Sequence, residues 1–373
     1  MAMTLDGSNG VTFNDSSLQG AAASPFGLKN RIINGDMVID QRNAGASLTI
    51  NSTTSGTYSV DRFNAYCQQT SGAFTVQQST TVPTLTRGAF TNSLLFTVTN
   101  TTAPGSTNRV LLRQIIEGLN VADFGWGTSS ATSITLSFWV RSSIIGTYGV
   151  GFINSAENRS YVGTYTISSA NTWEQKTITV AGDTTGTWLT NNSNGIRVAF
   201  DLGSGTGYNA SSANTWVAQE ACRTSSCVNW QQNSGATFYI TGVQLEIGST
   251  ATPFERRQFG NELALCQRYF TTSYYPANKL GTATTTNQIQ FTAPVAFSYH
   301  TAVVYFQQTM RSTPTIVSYS PNNGTAGQLY WGTTNSNAQT VGINTNGYSE
   351  TVDGVSISAG FNIYFHYSAS AEL

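Results

Sequence analysis

Alternation of apolar and polar residues runs through most of this chain, and a helical spacing interrupts it once. Residues 133–141 place Ile134, Leu136, Phe138 and Val140 on one face. Residues 195–202 point Ile196, Val198, Phe200 and Leu202 inward, with Arg197 and Asp201 outward. A period of two with a single apolar face describes antiparallel strands covered on one side. In 237–247 the apolar phase passes through Phe238 and Ile240 and then shifts to Val243, Leu245 and Ile247, so a β-bulge is expected at Gly242. Asn194-Gly195 reads as a tight turn. About ten such strands between residues 31 and 257 fit a two-sheet jelly-roll β-sandwich.

The exception is 259–269. Leu263, Leu265, Cys266, Tyr269 and Phe270 form an apolar stripe there, while Glu262, Gln267 and Arg268 turn away. So short a helix is marginal in isolation and needs something to pack on. Residues 258–280 therefore read as a helical joint, with Leu263, Leu265, Tyr269 and Phe270 as candidate contacts between copies of the chain. Strand patterning returns over 281–373, where Phe361, Ile363, Phe365 and Tyr367 alternate, and Pro-Asn-Asn-Gly at 321–324 and Asn346-Gly347 mark turns. This segment is expected to be a second, smaller β-sandwich. Residues 1–30 are small and polar with no sustained period, as in an extended arm shaped by a partner. The phrase SSANTW at 168–173 and 211–216 reads as reused loop chemistry rather than a repeat architecture. The expected fold class is all-β.

Composition narrows the function. With 373 residues the chain suits two or three domains, and 39% hydrophobic and 12% aromatic residues suffice for real cores. Only 9% of residues are charged and the net charge is -1, so there is no basic surface for nucleic acid. No apolar run is long enough for a membrane-spanning helix. The first residues lack the basic start and apolar core of a secretory signal, so synthesis in a cytoplasm is expected. The four cysteines and two histidines assemble no zinc pattern. Cys222 and Cys227 either bridge a loop in an oxidising medium or remain, with Cys67 and Cys266, reduced thiols.

Candidates for catalysis are few. Nucleophilic catalysis needs an imidazole beside the nucleophile, and the histidines are His300 and His366, the latter expected on the outer face of the last strand with Asn362 and Tyr364. Sugar hydrolysis needs two facing carboxylates, yet no strand presents several acids on one face. Gly203, Gly205 and Gly207 imitate a phosphate loop, but turn sequence follows them instead of a helix. Asp36, Asp40 and Asp61 gather near the start of the first sandwich, either as ligands of a structural Ca²⁺ or as acceptors of turn hydrogen bonds. No catalytic residue and no other cofactor is expected. Binding remains. Trp188, Tyr208, Trp216, Tyr330, Trp331 and Tyr348 fall in predicted loops among Asn, Ser, Thr and Gly, which suits recognition of sugar rings or, alternatively, plugs for sandwich ends and protomer contacts.

NRIINGDMVIDQRNAG at 30–45, YITGVQLEIGSTATPFERR at 239–257, NELALCQRYF at 261–270 and the terminal FHYSASAEL resemble tail-fibre-like proteins of bacteriophages and prophages. NGDM and YITGVQLE are also similar to the first and last strands of jelly-roll carbohydrate-binding modules. Gly242 stands where such modules carry an acidic residue for calcium. The resemblance implies a homotrimeric virion appendage, made in the host cytoplasm, whose N-terminal arm attaches to other virion proteins. Its distal β domain would adhere to a host surface glycan or protein without catalysis or membrane insertion. A structural virion part (head fibre, decoration or tail adaptor protein) is the alternative. A polysaccharide depolymerase is a third reading, against which the absence of repeated β-helix coils argues. Shallow binding sites are expected, since linked copies multiply weak affinities.

Overall fold

The computed structural model describes residues 29–69, 71–86, 88–293 and 297–373, together with three short strands near the N-terminus. These are β1 (Thr4–Asp6), β2 (Gly10–Thr12) and β3 (Leu18–Gln19), paired antiparallel in that order. The rest of the expected arm lies outside the described residues.

The first large unit is built from β4 (Leu48–Ile50), β5 (Thr57–Val60), β6 (Phe63–Gln68), β7 (Ala73–Ser79), β8 (Ser93–Asn100) and β9 (Arg109–Glu117). It continues with β10 (Ile134–Ser142), β11 (Gly146–Ile153), β12 (Ser160–Ile167), β13 (Glu174–Val180), β14 (Asn194–Asp201), β15 (Trp216–Val217) and β16 (Thr237–Ile247). A 6-stranded sheet in the order β13-β10-β16-β8-β7-β4 faces a 7-stranded sheet in the order β15-β12-β11-β14-β9-β6-β5. This is a jelly roll. The inward faces meet as the alternation requires: Ile134, Leu136, Phe138 and Val140 share one core with Ile196, Val198, Phe200 and Leu202. Phe138 meets Phe200 edge-on across the gap, with ring centroids 5.1 Å apart. Burying each such side chain contributes about 1.5–3 kcal/mol.

Gly242 carries the bulge. The β10–β16 register shifts beside it, between Ser137 and Trp139. Gly242 itself takes a φ of 62°, and a Cβ there would come within 2.5 Å of the Phe90 ring. Val243 and Leu245 are buried in the new phase as expected, whereas Ile247, also expected inward, is 41% exposed at the strand end. Asn194-Gly195 does not form a turn. It opens β14 at a register shift against β9, where Gly195 packs closely on the Gly118 backbone. Both SSANTW loops turn on an asparagine of positive φ, Asn171 at 56° and Asn214 at 60°, so the repeated phrase encodes a repeated backbone bend.

Arg197 and Asp201 do point to the outer face, but solvent does not reach them freely. The segment 203–230 folds back over that face, where Cys222 packs on Leu111, Ile153 and Ala199. Asp201 is fully buried and pairs with Arg223 at 3.3 Å, the cation that makes such burial tolerable. Gly203, Gly205 and Gly207 begin this return as a tight loop, and a Cβ on Gly205 would strike the Gly105 carbonyl.

The helix α1 (Phe259–Gln267) packs on its own chain. Cys266 and Tyr269 are buried with Ile33 and Ile39, and Leu263, Leu265 and Leu373 are packed against them. Glu262 and Gln267, expected outward, are buried. The reason is polar: Glu262 accepts the Asn34 N–H and pairs with Arg257 at 3.2 Å.

Beyond it, β17 (Phe270–Thr272), β18 (Ile289–Thr292), β19 (Phe297–Tyr305), β20 (Thr315–Tyr319), β21 (Gln328–Trp331), β22 (Thr334–Asn344), β23 (Gly347–Ile357) and β24 (Asn362–Ser370) form the second unit. Its 8-stranded sheet follows the order β17-β24-β21-β22-β23-β19, with β18 and β20 also paired to β24. A separate core holds Leu329, Val352, Ile363, Phe365 and Tyr367. Phe361, expected inward, is 43% exposed. The unit begins at Phe270 rather than at residue 281.

Ion pairs and stacked guanidinia fill the joint between the units. Glu372 receives Arg42 at 2.7 Å and Arg62 beside it. Arg62 lies 3.6 Å over the Tyr269 ring and Arg42 3.7 Å over Phe270. Arg268 grips Glu117 with two bonds of 2.6 and 3.0 Å, and the Tyr269 hydroxyl donates to the same carboxylate at 2.7 Å.

Candidate functional site

The candidate aromatics separate into three environments. Trp188 and Trp216 meet Trp126, with centroids 4.8, 5.1 and 5.5 Å apart and rings edge-on. The Trp188 indole N–H donates to Asp183 at 3.1 Å and that of Trp216 to the Ala181 carbonyl at 3.0 Å. Arg159 binds Asp183 with two bonds and lies 5.5 Å over Trp216. Burial works against the Asp183 charge, but Arg159 and the Trp188 N–H hold its carboxyl down to about 2. Both indole N–H groups are thus satisfied internally, as in a plug of the sandwich margin. Tyr208 likewise donates to the Thr107 carbonyl at 3.2 Å and lies under Arg109.

Tyr348 is not in a loop. The Asn346-Gly347 turn places it at the start of β23 with its side chain inward, 2% exposed, against Phe306 and Tyr367. No ligand reaches it there. Trp331 is half-buried in β21, its N–H bonded to Ser336 at 2.9 Å and its ring edge-on to Phe361. Tyr269 and Phe270, candidates for contact between copies, are buried in the joint within one chain, while Leu263 and Leu265 stay half-buried.

Tyr330 is different. It pairs across strands with Tyr364, with ring centroids 6.4 Å apart and planes tilted by 34°. The two rings border an open cavity of about 520 Å³ with Thr284, Thr285, Gln288 and Asn322. Hydroxyls, amides and aromatic faces make up this wall, with no carboxylate, imidazole or cation among the lining residues. Tyr364 is not among the aromatics that the loop pattern of the sequence points to. The signal existed, because the alternation of the last strand puts it on one face with Asn362 and His366.

His366 is buried rather than at the surface, because the segment after β17 crosses that face. Its ring stacks on Tyr274 at 4.1 Å, Nδ1 meets Ser273 Oγ at 3.1 Å, and Nε2 meets the Thr284 carbonyl at 3.0 Å. A carbonyl only accepts, so Nε2 carries the proton and Nδ1 accepts from Ser273. Burial lowers the His366 pKa. This neutral imidazole anchors residue 284, part of the cavity wall. The side chain of His300 lies outside the described residues.

Of the three acidic residues near the N-terminus, Asp40 and Asp61 act as turn acceptors. Asp40 accepts the N–H groups of Arg42, Asn43 and Gly45, and Asp61 accepts from Gln41 and pairs with Arg42 at 3.4 Å. Asp36 borders a small cavity with Arg257 and Glu262. A guanidinium beside Asp61 competes with a cation, and among the described residues no three His, Cys, Asp or Glu side chains are arranged to hold a metal ion. All four cysteines are free and buried.

The chain matches no protein-family model and no curated protein. Among solved structures it is similar to the enzymatically active domain of tailspike protein 4 from bacteriophage CBA120, at 14% identity and a TM-score of 0.30. That match covers 59% of this chain and 22% of the tailspike chain, so it spans less than a quarter of that protein. It is also similar to a putative sugar-binding protein from Bacteroides thetaiotaomicron, at 13% identity and a TM-score of 0.32, over 59% of this chain and 100% of that one. A third likeness, at 11% identity and a TM-score of 0.28, is to a family 61 carbohydrate-binding module in complex with β-1,4-galactotriose, over 59% and 100% of the two chains. At these identities and scores the likenesses assign no activity, ligand or origin to this chain.

Proposed function

We propose that this chain is a non-enzymatic fibre component of a phage virion that binds a host-surface saccharide through the Tyr330–Tyr364 cavity. The observation that carries the reading is the cavity's composition: two aromatic rings beside hydroxyl and amide groups, with no carboxylate, imidazole or cation in its lining. Sugar rings offer a C–H face to an aromatic ring and hydroxyls to amides. Glycoside hydrolysis by the usual route requires a pair of carboxylates, which this wall does not provide. Adhesion through shallow sites gains strength when copies are linked, so a homotrimer attached to other virion proteins through its N-terminal arms suits the role. The reading as a structural virion part draws on Val303 and Tyr305, which stand 59% and 78% exposed on β19 at the end of the sheet and suit protein contacts.

A glycan array followed by calorimetry on the best neutral oligosaccharide tests the proposal. Tyr330→Ala and Tyr364→Ala should each weaken binding about tenfold or more, the scale of losing one aromatic stacking contact, with melting temperature little changed. Wild-type protein that binds no glycan, or a double variant that binds as well as wild type, ends the reading.

A further inference from the structure

The outer face of the 7-stranded sheet holds arginines that its own acids do not balance. Arg109 and Arg113 rise from β9 and Arg197 from β14. Glu157, in the turn between β11 and β12, pairs with Arg197 at 2.6 Å and with Arg109 at 3.8 Å. Glu220, from the returning segment, pairs with Arg109 at 2.8 Å and with Arg197 at 3.5 Å. Arg113 makes no ion pair of its own among the described residues, and of these acids only Glu157, held by Arg197, feels its charge. Its Nε donates to Asn64 Oδ1 at 2.9 Å, and neither Nη group meets an acceptor among the described residues.

The Nη fork of Arg113 is held in place. Its guanidinium lies 4.3 Å from the Tyr66 ring centroid, and Arg109 lies 5.1 Å from the same ring. Asn64 and Tyr66 therefore fix the guanidinium plane of this half-buried side chain and leave its Nη groups without an acceptor among the described residues, a fork that matches the two oxygens of a carboxylate. Burial and the like charge of Arg197 pull the Arg113 pKa down to about 10, so an anion beside it would relieve a standing penalty. The buried Arg197 Nε is also without a hydrogen bond. Tyr66 serves a second feature: it borders an open cavity of about 410 Å³ with Ser52, Ser55, Gln68 and Asn108. An unpaired cationic fork and a hydroxyl- and amide-lined hollow thus share one tyrosine.

We propose that this face binds a carboxylate-bearing saccharide, with the acid on the Nη groups of Arg113 and the hydroxylated body in the adjoining hollow. The site is separate from the Tyr330–Tyr364 cavity and stands whether or not that cavity binds. Calorimetry on the full chain would compare an oligogalacturonate, its methyl ester, and inorganic phosphate. The oligogalacturonate should bind, more weakly as salt rises, and the ester about tenfold more weakly, as expected when a charge-assisted bidentate contact is lost. Arg113→Gln should lose about the same factor while keeping its melting temperature, since no carboxylate is orphaned. Arg113→Lys, which keeps the charge but not the fork, should also weaken binding. Tyr330→Ala should leave it unchanged. Equal binding of acid and ester, undiminished binding by both Arg113 variants, or phosphate binding as tightly as the saccharide would overturn the proposal.

Discussion

Glu350 is a carboxylate enclosed in the second unit's core with no ion-pair partner among the described residues. It is fully buried on β23, one oxygen receives the Ser318 hydroxyl, and the other has no hydrogen bond. Burial raises its pKa from 4.5 to about 7. Between those values the folded protein holds a proton that the unfolded chain has released, so the group's contribution to stability declines as pH rises through 7. The shift corresponds to a penalty of about 3 kcal/mol at pH 8 and less than about 1 kcal/mol at pH 5. Glu350→Gln keeps the shape and can still meet Ser318, but it has no charge to bury. The variant should therefore stabilise the unit by about 2–3 kcal/mol at pH 8 and make little difference at pH 5. Hydrogen exchange of β23 and β24 amides at both pH values, corrected for intrinsic rates, measures this directly, with the large sandwich as internal reference. A variant that is neutral or destabilised at pH 8, or whose effect is the same at both pH values, would refute the reasoning.

Glu372→Gln removes the one ion-pair partner that Arg62, with its side chain 1% exposed, has among the described residues. The loss should cost about 3–5 kcal/mol, read as a lower melting temperature and faster protease cleavage between α1 and β18. Gly242→Ala forces a side chain into a φ of 62° and against Phe90. It should destabilise the sandwich by at least about 1–3 kcal/mol in urea titration, whereas Gly235→Ala, also at positive φ but in open space, should cost less. Burial raises the pKa values of Cys67, Cys222, Cys227 and Cys266. Iodoacetamide at pH 7.5 should label none of them in the native protein and all four after denaturation, as mass spectrometry would show.

The inner face of each strand was legible because a period of two has a single buried solution. Phe138 and Phe200 meet across the core as the alternation predicts, and even the phase slip at Gly242 announced the bulge. What covers the outer faces was not legible. Arg197, Asp201 and His366 occupy outward positions, yet distant segments fold over them, and alternation within one strand carries no information about such cover. Asn194-Gly195 misled because the glycine serves close packing on Gly118 rather than a turn. Polarity alone points Glu262 and Gln267 to solvent, although a buried carboxylate can satisfy an N–H group and an arginine at once. Tyr348 failed similarly, because a residue after a turn signal can already belong to the strand. Tyr330, expected in a loop, lies in β21 beside a cavity, and its partner Tyr364 emerged only when β21 and β24 paired.

The joint decides whether the two candidate sites act separately or together. Interfaces between units of one chain usually permit relative motion unless they are large and well packed. Here Arg42, Arg62 and Arg268 are buried or half-buried against Glu372 and Glu117, and Arg311 bonds carbonyls at Asn192, Ala371 and Glu372. Small openings would expose these charges one at a time and leave their partners unpaired in a poorly hydrated gap. Opening is therefore costly from its first step, and the units should move as one body. A rigid joint fixes the distance from the Tyr330–Tyr364 cavity to Arg113. A polymer with both neutral and acidic sugars gains avidity only if its own spacing matches that distance. Loosening the joint with Glu372→Gln should then change the affinity for such a polymer while leaving the affinity for a short oligosaccharide unaltered. Unchanged polymer binding in a variant shown by scattering to be loosened would mean that the sites engage independently.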